Sequence, residues 1–235
     1  MTADFDEVLG RLSTFSGPDA ALTAPILQMV SATGASVATM GYLPVETVAA
    51  SDSRAARLDE AQFDLGEGPC WDAVDTRAPV LQPDLQESGA ARWPALVHSL
   101  QREDIGGLYA FPMTVGSLVM GAVDLYRTGS QPLLNDEVFR ATAIAAVLGP
   151  YVLRRALARI AGDEPAPDES PFSRRMVHQA TGFVMAQLGV SASEAEMLIR
   201  GRAFASGRTM RETASGIIEG RYRFEVRGNM IEDGR

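Results

Sequence analysis

Nine polar residues near the end of the chain have the types and spacing for contact with a polyanion: Arg174, Arg175, His178, Gln179, Thr181, Arg200, Arg202, Arg208 and Arg211. An arginine fork presents planar donors that match phosphate oxygens, and its flat face stacks on bases. Arg174 and Arg175 stand one turn before His178 and Gln179, which gives a single polar helix edge. Arginines with no carboxylate three or four residues away are the better contact candidates, and Arg174, Arg175, Arg202 and Arg211 meet that test. Glu196 precedes Arg200 by four and Glu212 follows Arg208 by four, so a surface ion pair is the competing role for both arginines. Residues 171–235 hold ten Arg against seven Asp and Glu, a balance of +3. The whole chain is −9, which leaves −12 for residues 1–170. A cationic region joined to an acidic one suggests partners of different kinds.

A second group, Tyr42, Phe63, Cys70, Trp71, Trp93, Tyr109 and Tyr126, offers the lining of a small-molecule pocket, with core packing the competing role for each ring. Asp84 and Asp124 are candidate polar anchors that nothing in the spacing pairs. One cysteine excludes a disulfide framework and Cys-rich zinc sites, and Cys70 reads as a small buried residue. His98 is the candidate haem ligand, against an ordinary surface role. No paired carboxylates, His/Asp/Glu cluster or nucleophile–base spacing stands out, so the chain does not read as an enzyme, and no metal site is expected.

The elements that must position these residues follow from periodicity and caps. Ser170-Pro171 opens a helix with Val177, Ala180, Val184 and Leu188 on one side, stopping at Gly189. Ser191–Glu194 and Thr209–Glu212 are capping boxes that start two more helices, ended by Gly207 and Gly220. The product is a three-helix bundle over 171–224, with Tyr222 and Phe224 placed to stack bases or close the bundle. A flexible tail is expected over 225–235. Upstream, ASVATMGYL and ETVAAS form a hairpin across Leu43-Pro44-Val45. GGLYAFPMTV and LVMGAVDLYRT form another across Gly116-Ser117. Helices precede, separate and follow these strands, which makes residues 1–160 an α+β domain built on one antiparallel sheet.

A long helix runs from Leu133 towards Ile160. Leu134, Val138, Ala141, Ala145, Leu148 and Val152 read as a seam for a second copy, hence a homodimer. Phe139, Ala143, Val147 and Tyr151 form a second stripe. Gly149-Pro150 should kink or divide that helix. AGDEPAPDES, residues 161–170, is the expected linker. No apolar run approaches the roughly 20 residues of a membrane span, and the acidic MTADFDEVLG is unlike a signal peptide, so a cytoplasmic location is expected.

The blocks ATGFVMAQLGVS, EAEMLIRGRA and GRTMRETA, in that order, resemble an ANTAR domain, the small RNA-binding helical module of bacterial transcription antiterminators. GEGPCWDAVDTRAPVLQPDL, in its setting of strands and helices, is similar to a GAF domain, a sensor fold that holds a small molecule between its sheet and covering loops. The resemblance implies a signal-responsive regulator whose helical module binds a stem-loop in a nascent transcript and prevents terminator folding. Single-stranded loops suit Arg, His, Gln and Thr on a helix surface. It implies no bilin, since Trp71 rather than His follows Cys70. One thiol is too few for methionine-sulfoxide chemistry, and the absence of lysine argues against a cyclic nucleotide. The cofactor or ligand is unknown. A DNA-binding regulator, or a sensor whose helical tail only meets other proteins, stays open beside this reading.

Overall fold

A computed structural model describes residues 5–162, 174–227 and 230–234 and divides the chain into two units, Met1–Phe172 and Ser173–Arg235. The first unit begins with helices α1 (Phe5–Ser13) and α2 (Thr23–Met29), then the hairpin β1 (Gly34–Thr39) and β2 (Glu46–Ala50). Helices α3 (Ser53–Leu65) and α4 (Pro69–Thr76), strand β3 (Val80–Gln82) and helix α5 (Pro94–Ser99) follow. A second hairpin, β4 (Gly107–Val115) and β5 (Leu118–Arg127), leads to helix α6 (Asn135–Ala161). The strands make one antiparallel sheet in the order β2-β1-β5-β4-β3, so the unit is α+β.

Alternation along the strands sends side chains to opposite faces. Tyr109, Phe111, Val123 and Leu125 pack on the side of α6, with its Ala141, Ile144, Ala145, Leu148 and Val152. Leu108, Ala110, Ala122 and Tyr126 pack on the other side with Leu58, Phe63, Cys70, Trp93 and Leu96 of the intervening helices and loops. Both sheet faces are therefore covered, which explains the unbroken burial of β1.

α6 is tied down at both ends. Glu137 accepts from Leu134 N–H at 2.8 Å and from Ser31 N–H at 2.8 Å, and pairs with Arg127 at 3.0 Å. Towards the other end, Arg155 is 8 % exposed and bonds Asp19 at 2.6 Å and Glu46 at 3.2 Å. Arg159 reaches Glu46 at 2.7 Å. Burial opposes the charge on Glu46, yet the bonds from Arg155 and Arg159 win and hold its carboxyl below the usual range.

Two expectations about α6 are corrected. The seam predicted to meet a second copy faces its own sheet: Ala141, Ala145, Leu148 and Val152 are buried in the core, while Leu134 is 65 % exposed. The period was right and the partner wrong, because a core stripe and a coiled-coil seam share one spacing. Of the second stripe, Phe139 is exposed and Tyr151 buried. Nor does Gly149-Pro150 divide the helix, which is continuous with Pro150 on its exposed side. Gly149 has a packing reason, since a Cβ there would collide with the backbone of Thr114 on β4.

The second unit contains α7 (Arg175–Leu188), α8 (Ala192–Ser206) and α9 (Met210–Ile218), then the hairpin β6 (Arg223–Arg227) and β7 (Met230–Gly234). Both capping boxes form: Glu194 N–H donates to Ser191 Oγ and Glu212 N–H to Thr209 Oγ1, with each glutamate returning to the cap N–H at 2.8 and 3.0 Å. Gly189 and Gly207 close α7 and α8 with left-handed backbone. Val177, Ala180, Val184, Ala195, Ile199, Ala203, Met210, Ala214, Ile217 and Phe224 form the core. The predicted cap at Ser170-Pro171 and most of the predicted linker lie outside the described residues. Where a flexible tail is expected, β6 and β7 pair in register from Arg223 with Gly234 to Arg227 with Met230. The Gly-Asn dipeptide between them is a hairpin signal that the sequence already carried.

Candidate functional site

The arginines of the second unit do not all reach its surface. Arg174 is 7 % exposed, with an amino group 3.5 Å from Met210 Sδ, so its expected role as a surface contact is corrected. Arg175, His178 and Gln179 are exposed on α7, while the Thr181 hydroxyl donates to Val177 O at 2.8 Å within the same helix. Arg200 lies 3.9 Å from Glu196, the pair its spacing suggested. Glu212 is engaged in capping α9, and Arg208 instead stacks over Tyr222 at 5.6 Å from the ring centroid. Arg202, expected to stand without a partner, sits 4.2 Å over that same ring. Arg221 approaches it at 5.9 Å. Beside them a cleft of about 430 Å³ opens between α7, α9 and the turn after α9, lined by Met176, Arg208, Arg211, Glu212, Ser215 and Arg221.

In the first unit, the sheet face opposite α6 carries a buried polar chamber. On β5, Asp124 is 5 % exposed and lies in register with Ser36 of β1 and Ala110 of β4. On α3, Asp59 is 1 % exposed and accepts from Thr47 Oγ1 at 2.5 Å and from Ser36 Oγ at 3.4 Å. Gln62 donates to Asp124 Oδ2 and accepts Cys70 N–H at 3.0 Å, while Trp71 Nε1–H donates to Gln62 O at 2.8 Å. Asp124 Oδ1 has no hydrogen-bond partner. Burial first, and then the neighbouring Asp59 carboxylate, push the Asp124 carboxyl well above its ordinary value, against the Gln62 bond. Burial, with Asp124 and Asp59 nearby, raises the Cys70 thiol well above its usual range, which leaves it a poor nucleophile. The cavity lined by Ser36, Ala55, Leu58, Leu108, Asp124, Leu125 and Tyr126 is about 10 Å³, room for one water at most.

The structure brings Phe63, Cys70, Trp71, Trp93 and Tyr126 together on this face. It does not bring Tyr42, which is 67 % exposed, or Tyr109, which packs on the α6 side. The misplacement of Tyr109 comes from reading aromatic type without strand phase, and Tyr42 stands in the turn between β1 and β2. Asp84 serves as a cap, accepting Glu87 N–H at 3.1 Å, and His98 is exposed rather than enclosed as an axial ligand would be. Sequence reasoning missed Asp59 and Gln62, whose signal was two polar residues in phase with Ala55 and Leu58 on one helix stripe. Among the described residues no group of three or more His, Cys, Asp or Glu is placed to hold a metal.

Comparison with known proteins agrees with both halves. An ANTAR domain model matches residues 171–218, and a GAF domain model matches residues 17–149. The fold of the first unit is similar to the GAF domain of a phosphoenolpyruvate-protein phosphotransferase from Coxiella burnetii. The identity is 17 %, with 68 % of this chain and 95 % of that one covered, at a TM-score of 0.50. It is also similar to the GAF domain of the Acinetobacter phosphoenolpyruvate-protein phosphotransferase, at 11 % identity, 67 % and 93 % coverage, and a TM-score of 0.51. At these identities the likeness concerns the fold. No curated protein matches the chain. GAF and ANTAR domains are sensor and regulatory modules, and an α+β unit followed in the sequence by a helical one fits both descriptions: the chain belongs to the GAF domain family and carries an ANTAR domain after it.

Proposed function

We propose that the chain is a cytoplasmic, non-catalytic regulator that binds stem-loop RNA through its ANTAR unit, acts in transcription antitermination, and is controlled by a signal received in its GAF unit. The observation that carries this reading is the ANTAR match over the unit in which Arg208, Arg211 and Arg221 line one cleft. Arg175, His178 and Gln179 on α7 supply a second polar edge for bases in a loop. Tyr222, held beneath Arg202, orients guanidinium groups rather than stacking bases. The signal is a small molecule received on the chamber face of the sheet, which must open to admit it because the closed cavity holds no more than a water. Two copies pair through the outward face of α6, where Phe139, Leu157 and Ile160 are 66, 55 and 83 % exposed. α6 is long and apolar enough to cross a membrane, but it lays one face on the sheet, as a core helix does.

Titration of the full chain against an RNA stem-loop and a DNA duplex of matched length tests the reading. Tighter binding to the stem-loop, weakening as salt rises, is expected. Equal binding to both, or to neither, would return the chain to the DNA-binding or protein-contact alternatives. The latter draws on Met197 and Phe204, 61 and 70 % exposed on α8.

A further inference from the structure

The ANTAR match ends at residue 218, and the chain then adds a segment that packs back onto the matched domain. Phe224 of that segment is buried in the bundle core, and its N–H points to Gln187 Oε1 at 3.4 Å. Tyr222 lies against Gly216 so closely that a Cβ there would collide with the ring. Gly216 is thus a glycine because the added segment docks on it, although its backbone is ordinary helix. The turn itself is pinned by Arg221 and Tyr222 N–H donating to Gly216 O at 2.8 and 3.1 Å.

This docking brings two kinds of group to the cleft. Arg221 joins Arg208 and Arg211 in its lining, where Glu212 is the acidic member and is held in its capping bond. The Tyr222 ring stands under the guanidiniums of Arg202, Arg208 and Arg221 at 4.2, 5.6 and 5.9 Å, within cation–π range. One ring therefore gathers three long side chains that would otherwise sample many rotamers. Arg221 also pairs with Glu219 at 2.9 Å, but both are more than half exposed, so the pair is weak and easily exchanged. The cleft is open to solvent and of small-ligand volume, wide enough for a phosphodiester to lie along it.

We propose that the segment following the matched domain completes a phosphate-binding cleft for the RNA backbone, with Arg208, Arg211 and Arg221 as the anion contacts and Tyr222 as the residue that positions Arg208 and Arg221. The inference rests on the RNA-binding reading above and adds where the strand is gripped and by which chemistry. Planar guanidiniums bind phosphate oxygens in pairs and carry no sequence information, so this cleft sets affinity and register while the loop is read elsewhere.

The test uses the full chain, fluorescent RNA stem-loops of two unrelated loop sequences, and a salt series. Arg208→Ala and Arg221→Ala alter exposed residues farther from the ring than Arg202, and their melting curves should shift less than that of Arg202→Ala. Each change should weaken binding on the order of tenfold on both stem-loops. Each should also reduce the slope of log K against log salt by roughly 0.7–0.9. Tyr222→Phe should bind like the unmodified chain, since the ring is kept. Tyr222→Leu should lose affinity on both stem-loops, and if it fails to fold the two arginine changes decide. Unchanged affinity and slope in both arginine variants, while the unmodified chain binds, would overturn this inference alone. A loss confined to one loop sequence would also overturn it, because that is base recognition. No binding by the unmodified chain would overturn it together with the RNA-binding reading.

Discussion

Two carboxylates buried on one face of a sheet cannot both stay ionised cheaply, and Asp59 and Asp124 are in that position. A carboxyl whose folded-state pKa is raised binds its proton more tightly folded than unfolded. Its contribution to stability is greatest below the ordinary carboxylate range and is lost as pH rises towards the raised value. Asp124→Asn keeps the acceptor for Gln62 and removes the charge. The variant should therefore be more stable than the unmodified chain at neutral pH, with a flatter pH profile above the ordinary carboxylate range. Chemical denaturation across a pH series checks it, and a less stable Asn variant at neutral pH would refute the account. Counting intrahelical partners proved an incomplete guide at the same scale. Arg202 has no carboxylate three or four residues away in sequence, yet it stacks on a ring twenty residues away. Arg202→Ala should thus lower stability by roughly 0.5–1 kcal/mol through the lost cation–π contact, in addition to any effect on RNA affinity. A melting curve unchanged by Arg202→Ala would mean that the stack contributes nothing.

At the scale of elements, α6 separates two ideas that the sequence alone merged. Leu148 is fully buried against the sheet, so Leu148→Glu should unfold the first unit rather than release monomers. Leu157→Glu, on the outward face, should leave the melting curve intact and shift sedimentation from dimer to monomer. A monomeric unmodified chain at micromolar concentration would remove the pairing from the proposal. The far end of α6 offers a third measurement. Arg155→Met should cost about 3 kcal/mol at neutral pH, the lower end for a broken buried pair, because Arg159 still reaches Glu46. Glu46 is held below its ordinary pKa, so the stability it adds is present above that value and lost as pH falls; the penalty should shrink in acid. A penalty that grows in acid would contradict the ion-pair account. The elements themselves were largely legible. Capping boxes at Ser191 and Thr209, and the Gly116-Ser117 turn, are local chemistry and fell where the residues put them. What an amphipathic stripe packs against is not local. That is why the α6 seam, the phase of Tyr109 and the pairing of Asp59 with Asp124 needed the assembled sheet.

The whole molecule joins an acidic half to a basic one, and that asymmetry has a measurable consequence if the ANTAR unit grips RNA. Residues 1–170 carry −12 and residues 171–235 carry +3. Phosphate contacts by the basic unit release counterions, so affinity falls with salt. The acidic half acts in the opposite sense: its field repels the same RNA, and salt screens that repulsion as the Debye length shrinks from about 30 Å at 0.01 M to about 8 Å at 0.15 M. The two trends partly cancel in the full chain and not in the excised unit. That unit has its own core of Val177, Ile199, Met210 and Ile217 and its own caps, so residues 165–235 should fold alone. The excised unit should bind a single-site stem-loop more tightly than the full chain at low salt, and its log K should fall more steeply with log salt. The curves should converge as salt approaches physiological strength. Parallel curves of equal slope would mean that the acidic half never comes within a Debye length of the bound RNA. Control by the sensor would then have to act through dimer geometry or direct contact, not through charge.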